Sequence, residues 1–95
     1  MAEWRSARHL ADHFEDHRYE GPWASVEAYA ASARALLERD DVLVFLYYDY
    51  TTGFSRVGVY DEDTGLFTIL SEDDRWIISH FRTHWGYVRG LMERR

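Results

Sequence analysis

Apolar residues recur at steps of three and four through the first third of the chain: Trp4, Ala7, Leu10, Ala11 and Phe14, then Val26, Tyr29, Ala30, Ala33, Leu36 and Leu37. That spacing predicts two amphipathic helices, from about Glu3 to Arg18 and from Ser25 to about Arg39. Gly21 and Pro22 end the first. Ser25 is placed to cap the second, and Asp40 and Asp41 lie at its negative end, where carboxylates are disfavoured.

The pattern then changes period. Val42 to Tyr50 is β-branched or aromatic on both parities until Asp49, which predicts a central strand covered on both faces for most of its length. Phe54 to Tyr60 alternates, with Ser55, Val57 and Val59 on one face and Arg56, Gly58 and Tyr60 on the other. Leu66 to Leu70 and Arg75 to Arg82 follow as strands, separated by turns at residues 61–65 and 72–74. In the last strand Ile77, Ser79 and Phe81 are expected to face one way and Trp76, Ile78, His80 and Arg82 the other. Gly86 to Met92 reads as a short terminal helix with Val88, Leu91 and Met92 inward. The expected fold is α+β: two N-terminal helices packed on one face of a four-stranded antiparallel meander, a short C-terminal helix, and a second sheet face partly open.

Composition narrows the class of protein. Ninety-five residues with one proline and six glycines fit a single domain spanning residues 1–95, and 17% aromatic content compensates for the small core such a chain can bury. The absence of cysteine excludes disulfides, zinc–thiolate sites and thiol nucleophiles. No apolar run approaches the roughly 20 residues that span a bilayer, and the polar N-terminus is not a secretory signal, so a cytoplasmic protein without membrane contact is expected.

Charge is unevenly placed. The net value is −6, from 11 basic and 17 acidic residues. Residues 1–74 carry six arginines against 16 carboxylates, a balance of −10, whereas residues 75–95 carry Arg75, Arg82, Arg89, Arg94 and Arg95 against Glu93 alone, a balance of +4. Every basic residue is arginine, the side chain suited to bidentate contacts with anions.

Three imidazoles, His9, His13 and His17, stand at steps of four on the first helix. Each step advances about 400°, so they share one side, bordering the stripe of Leu10 and Phe14. At such a seam an imidazole can titrate near neutrality, as proton transfer requires. The plainer alternative is a row of boundary histidines satisfied by Asp12 and Asp16. A zinc reading is also available, because histidines at i and i+4 can share an ion, but no glutamate stands inside the turn as it does in zinc hydrolases. Arg56 on an open strand face suits phosphate binding, and its alternative is an ion pair with Asp49 or Asp61. No glycine-rich phosphate loop, nucleophile elbow or carboxylate pair is present.

The segments His13-Phe14-Glu15-Asp16-His17-Arg18-Tyr19-Glu20-Gly21, Ser25-Val26-Glu27-Ala28-Tyr29, Arg56-Val57-Gly58-Val59-Tyr60-Asp61, Ile77-Ile78-Ser79-His80-Phe81-Arg82 and Gly86-Tyr87-Val88 occur in this order. The arrangement resembles the small ribonuclease toxin domains of the barnase, EndoU, colicin and RelE-like superfamily, found at the C-termini of bacterial polymorphic toxins. The resemblance implies metal-independent RNA cleavage in a sheet cleft, with no cofactor. It makes His17 base or acid, His13 its helper or a boundary residue, Arg56 the transition-state clamp and Ser79 a phosphate hydrogen-bond donor. His80 is a candidate for the second proton transfer on chemical grounds alone. Arg75, Arg82 and Arg89 are the expected RNA-binding residues, and a toxin of this kind implies an antitoxin or other protein partner.

A second function class competes with this one. Acidic turns at Asp61 to Asp63 and Glu72 to Asp74, if gathered at one end of the meander, would dock a basic partner, as a non-catalytic inhibitor or immunity-like protein does. Trp4, Trp23 and Trp85 are the aromatic candidates for an interface.

Overall fold

A computed structural model describes residues 2–94; the expected basic contribution of Arg95 lies outside the described residues. The elements run β1 (Glu3–Trp4), α1 (Ala7–His17), α2 (Val26–Leu37), β2 (Leu43–Asp49), β3 (Phe54–Tyr60), β4 (Leu66–Ser71), β5 (Trp76–Arg82) and α3 (Trp85–Met92). They form an α+β fold on one five-stranded sheet of order β1-β5-β4-β3-β2. The sheet is mixed, because β1 pairs with β5 in parallel, Glu3 opposite Trp76 and Trp4 opposite Ile77. The expected four antiparallel strands therefore gain a fifth at the far edge.

That fifth strand comes from the front of the expected first helix. Ser6 takes up extended backbone, and its hydroxyl accepts from the His9 amide at 3.0 Å, so the helix starts at Ala7. Trp4 keeps its apolar role from the strand, packing with Leu10, Val26 and Leu66 around Phe14, Trp23 and Tyr29. Ser25 caps α2 as its position predicts, accepting from the Ala28 amide at 3.1 Å.

Alternation along the strands separates two cores. On one face Val59, Leu70 and Ile77 meet Ala33 and Leu36 of α2. On the other, Tyr47, Tyr60 and Phe67 meet Val88 and Leu91 of α3. The second face, expected to be partly open, is thus covered by the terminal helix over β2 to β4. Gly58 belongs to this face. A Cβ there would come within 2.6 Å of the Phe45 ring and 2.9 Å of Phe67, whose rings stack 6.0 Å apart. Only glycine leaves room for that aromatic pair to close over the strand.

Strand β2 is an edge rather than the centre of the sheet. It pairs with β3 alone, and Val44 and Leu46, opposite Val59 and Val57 on the α2 face, are 60% and 57% exposed because α2 does not extend over this edge. The apolar residues on both parities had the composition of a buried strand, but burial depends on what lies alongside. A second correction concerns β5. Ser79 pairs with Ile69 and Ile77 with Leu70, so Ile78 is an extra residue in a bulge. Beyond it the parity inverts: Ile77 and His80 share the α2 face, while Ser79 and Phe81 share the α3 face.

The two acidic turns lie at opposite ends of the sheet, as successive turns of a meander must. Two of their carboxylates serve local structure. Asp61 is buried, accepting from Arg39 at 2.6 Å, Thr64 Oγ1 at 2.7 Å and the Asp63 amide at 3.1 Å. Asp73 accepts from Ser71 Oγ at 2.6 Å and the Arg75 amide at 3.1 Å. Of the tryptophans named as interface candidates, Trp23 is buried, Trp4 half-buried and Trp85 exposed. Among the described residues no helix is long and apolar enough to cross a membrane.

Candidate functional site

The histidine row lies along β5. Its N-terminal end is set by Trp4, whose ring meets His9 edge-on at 5.5 Å and His13 at 5.7 Å. His9 and His13 lie 4.6 Å apart, His13 and His17 6.2 Å, and His17 stacks on Phe81 at 5.2 Å. The helix rises in step with the strand, so His13 comes opposite Ser79 and His17 opposite Phe81.

His13 Nδ1 and Ser79 Oγ are 3.2 Å apart, a contact between residues 66 positions apart in the chain. Ser79 is buried and His13 half-buried. Desolvation holds the His13 imidazole below its usual range, and the neighbouring His9 and His17 push it the same way, against a smaller opposing pull from Asp16 and Asp12. His13 is therefore neutral at pH 7, the state in which a ring nitrogen accepts a proton. Asp12 and Asp16 do not hydrogen-bond the row: Asp12 lies 3.9 Å from Arg8, and His17 pairs with Glu20 at 2.7 Å. The other Glu20 oxygen accepts from the Arg82 amide at 3.3 Å, tying the end of α1 to the end of β5.

His80 is elsewhere. It is fully buried on the α2 face, its Nδ1 2.8 Å from Thr68 Oγ1 and its Nε2 3.0 Å from Ser32 Oγ, while the Tyr29 hydroxyl donates to its backbone carbonyl. Both ring nitrogens are satisfied inside the protein, and burial lowers its pKa to about 4. It is a structural residue, separated from the row by the bulge that turned it inward.

Arg56 occupies the Ser79 face. Gly58 pairs with Ile69 and Ile69 with Ser79, so Arg56 is two residues and two strands away, a Cα separation of roughly 12 Å from the spacing of strands and residues. It pairs with neither Asp49 nor Asp61. Asp49 caps its own turn, accepting from the Thr51 amide and Thr52 hydroxyl, and Asp61 is held by Arg39. Arg56 Nε is buried without a hydrogen-bond partner among the described residues, and its guanidinium lies 5.4 Å from the Phe54 ring centre. The head group borders a groove of about 630 Å³ that Arg5, Phe54 and Trp76 also line.

The expected RNA-binding arginines are not gathered together. Arg75 stands beside that groove, its guanidinium 5.6 Å from the Trp76 ring. Arg82 is at the other end of β5, and Arg89 lies on α3 within 3.7 Å of Glu93. Three residues joined to these surroundings have no functional part in the sequence reading: Arg5 and Trp76, brought together by the parallel β1–β5 pairing, and Glu20, which anchors His17. A two-residue strand has no periodicity to detect. Glu20, three positions beyond His17, was the readable one.

A separate apolar hollow of about 400 Å³ lies between β2 and α3, lined by Phe45, Leu46 and Tyr47 among others, and contains none of the candidate residues. Among the described residues no three histidine or carboxylate groups converge as ligands of one metal ion; the histidine rings are spread along β5. No protein-family model, curated protein or solved structure matches the chain.

Proposed function

We propose that the chain is a metal-independent endoribonuclease domain of the toxin type, cleaving RNA by attack of its own 2′-hydroxyl on the adjacent phosphate. The observation that supports this best is the 3.2 Å contact between His13 and Ser79, which joins a proton-accepting ring to a hydroxyl on a sheet face that also carries an unpaired guanidinium.

Each group has a task in the reaction. With its Nδ1–H donated to Ser79 Oγ, His13 presents Nε2 as the acceptor for the 2′-hydroxyl proton. The oxygen attacks phosphorus, and the 5′-oxygen leaves with a proton from His17, whose other nitrogen is held by Glu20. The products are a 2′,3′-cyclic phosphate and a free 5′-hydroxyl, and the site is reset when His13 gives its proton to water and His17 takes one from water. Arg56 supplies positive charge to the pentavalent phosphorane. The sequence reading made His17 base or acid and His13 its helper or a boundary residue; here His13 is the base, His17 the acid, and His80 has no part in the cycle. An antitoxin partner follows from this reading, since free RNA cleavage harms the cell that makes the enzyme.

The acidic docking alternative gains nothing from the geometry, because the two turns are apart and two of their carboxylates are engaged locally. The test is incubation of the purified chain with total RNA in EDTA. Cyclic-phosphate ends are expected, with loss of most activity in His13→Ala, Ser79→Ala and Arg56→Ala. Intact RNA in the presence of folded protein would end the proposal.

A further inference from the structure

The groove beside Arg56 has a make-up that RNA cleavage itself does not require. Trp76, half-buried at the start of β5, has the Arg5 guanidinium 5.5 Å and the Arg75 guanidinium 5.6 Å from its ring centre. Across the groove Phe54 is 62% exposed beneath the Arg56 guanidinium. Two aromatic rings and two arginines, Arg5 and Arg56, therefore line one hollow in a chain whose net charge is −6, with Arg75 beside it on the Trp76 ring. Glu72 and Asp73 line the hollow as well, and the Asp73 carboxylate is engaged by Ser71 and the Arg75 amide.

Exposed aromatic rings interleaved with guanidiniums make a platform for unpaired nucleotides. Every base offers a face to an aromatic ring, and the arginines track the phosphates. Bases inside a duplex are already stacked and cannot use it. The arginine–tryptophan contacts are exposed cation–π pairs, weaker than a base–aromatic stack. An arriving base displaces one and frees its guanidinium for phosphate. Arg56 Nε is buried and without a hydrogen-bond partner among the described residues, so no protein acceptor holds this guanidinium through that nitrogen. Ile78, the chain neighbour of Ser79, lines a smaller hollow together with Arg5, Phe54, Arg56 and Trp76.

We infer that this groove is a subsite for single-stranded RNA, in which bases stack on Trp76 and Phe54 and phosphates are held by Arg5, Arg75 and Arg56. The inference rests on the ribonuclease reading for the identity of the polymer and not for the platform itself.

The experiment uses a short fluorescent 2′-O-methyl oligoribonucleotide, which has no free 2′-hydroxyl and survives whether or not the chain cuts RNA. Binding to the full chain is followed by anisotropy. Trp76→Ala is expected to weaken binding about 5- to 150-fold, the range for loss of one base–aromatic stack. Phe54→Ala, at an exposed position, loses affinity in the same sense, and Trp76→Phe restores most of it. Arg5→Ala and Arg75→Ala each lower the slope of log affinity against log salt by about 0.7. Arg34→Ala, on α2, leaves it unchanged. An abasic strand and the annealed duplex bind weakly. Equal binding by wild type, Trp76→Ala and Phe54→Ala, or a duplex held as tightly as the single strand, overturns the inference. Tryptophan-dependent binding without any RNA cleavage would remove the catalytic proposal and leave this subsite standing.

Discussion

The buried imidazole of His80 makes the molecule acid-sensitive in a defined window. Its pKa of about 4 in the folded chain compares with 6.5 for the free side chain. Burial is the main cause and the His17 imidazole adds to it, against an opposing contact with the Phe67 backbone. Between these two values the unfolded chain binds a proton that the folded chain does not, so stability rises with pH across the window and is lost as pH falls from 6.5 towards 4. At about 1.4 kcal/mol per unit the full loss is about 3 kcal/mol, of which about 2 kcal/mol has gone by pH 5. Below pH 4 both states are protonated and the loss stops growing. In urea unfolding followed by tryptophan fluorescence, that difference is a midpoint lower by about 1 to 2 M at pH 5 than at pH 7. His80→Gln keeps donor and acceptor groups near Thr68 and Ser32 but does not titrate. Its midpoint should start lower and then fall by less over the same range, the difference between the two proteins being the His80 contribution. His13 is lowered too, but it is present in both proteins and cancels in the comparison. Parallel loss of stability in the two proteins would refute the assignment of His80 as a buried neutral residue, and with it the reason for excluding it from proton transfer.

The remaining predictions are smaller in scope. If His13 is the base, the acidic limb of kcat/KM for RNA cleavage lies below pH 6.5, and Asp16→Asn, which removes a group that raises the His13 pKa, moves that limb further down. Gly58→Ala forces the Phe45–Phe67 stack apart and should cost about 1 to 3 kcal/mol, as overpacked core sites do, read as a drop in Tm. For Asp61, burial alone would raise the pKa, but the Thr64 hydroxyl, Arg39 and the Asp63 amide outweigh it and hold the carboxyl below the usual carboxylate range. The ionised form is thus favoured by folding, a contribution present above pH 3.8 and lost as pH falls through the lower folded value. Arg39→Ala should therefore lower Tm at pH 7, with the deficit shrinking by pH 3, and a deficit independent of pH would show that the ion pair is not its source.

Local patterns determined much of this molecule. The three- and four-residue recurrence placed α2, the Ser25 hydroxyl fixed its start, and strict alternation gave β3 with the bounds observed. The four-residue histidine spacing put His13 and His17 on one side of α1, because helix geometry is a property of the chain itself. Tertiary structure decided the rest. The sequence assigned Ser79 and His80 to opposite faces correctly but attached them to the wrong partners, since the bulge at Ile78 depends on how β5 meets β4. Val44 and Leu46 have the composition of a central strand and lie on an edge, because strand order belongs to the whole sheet. The meeting of Arg5 with Trp76 follows from a two-residue parallel pairing. Neighbours in the chain set periods and caps, whereas registers, edges and a groove between distant arginines are chosen by contacts that no short stretch of sequence contains.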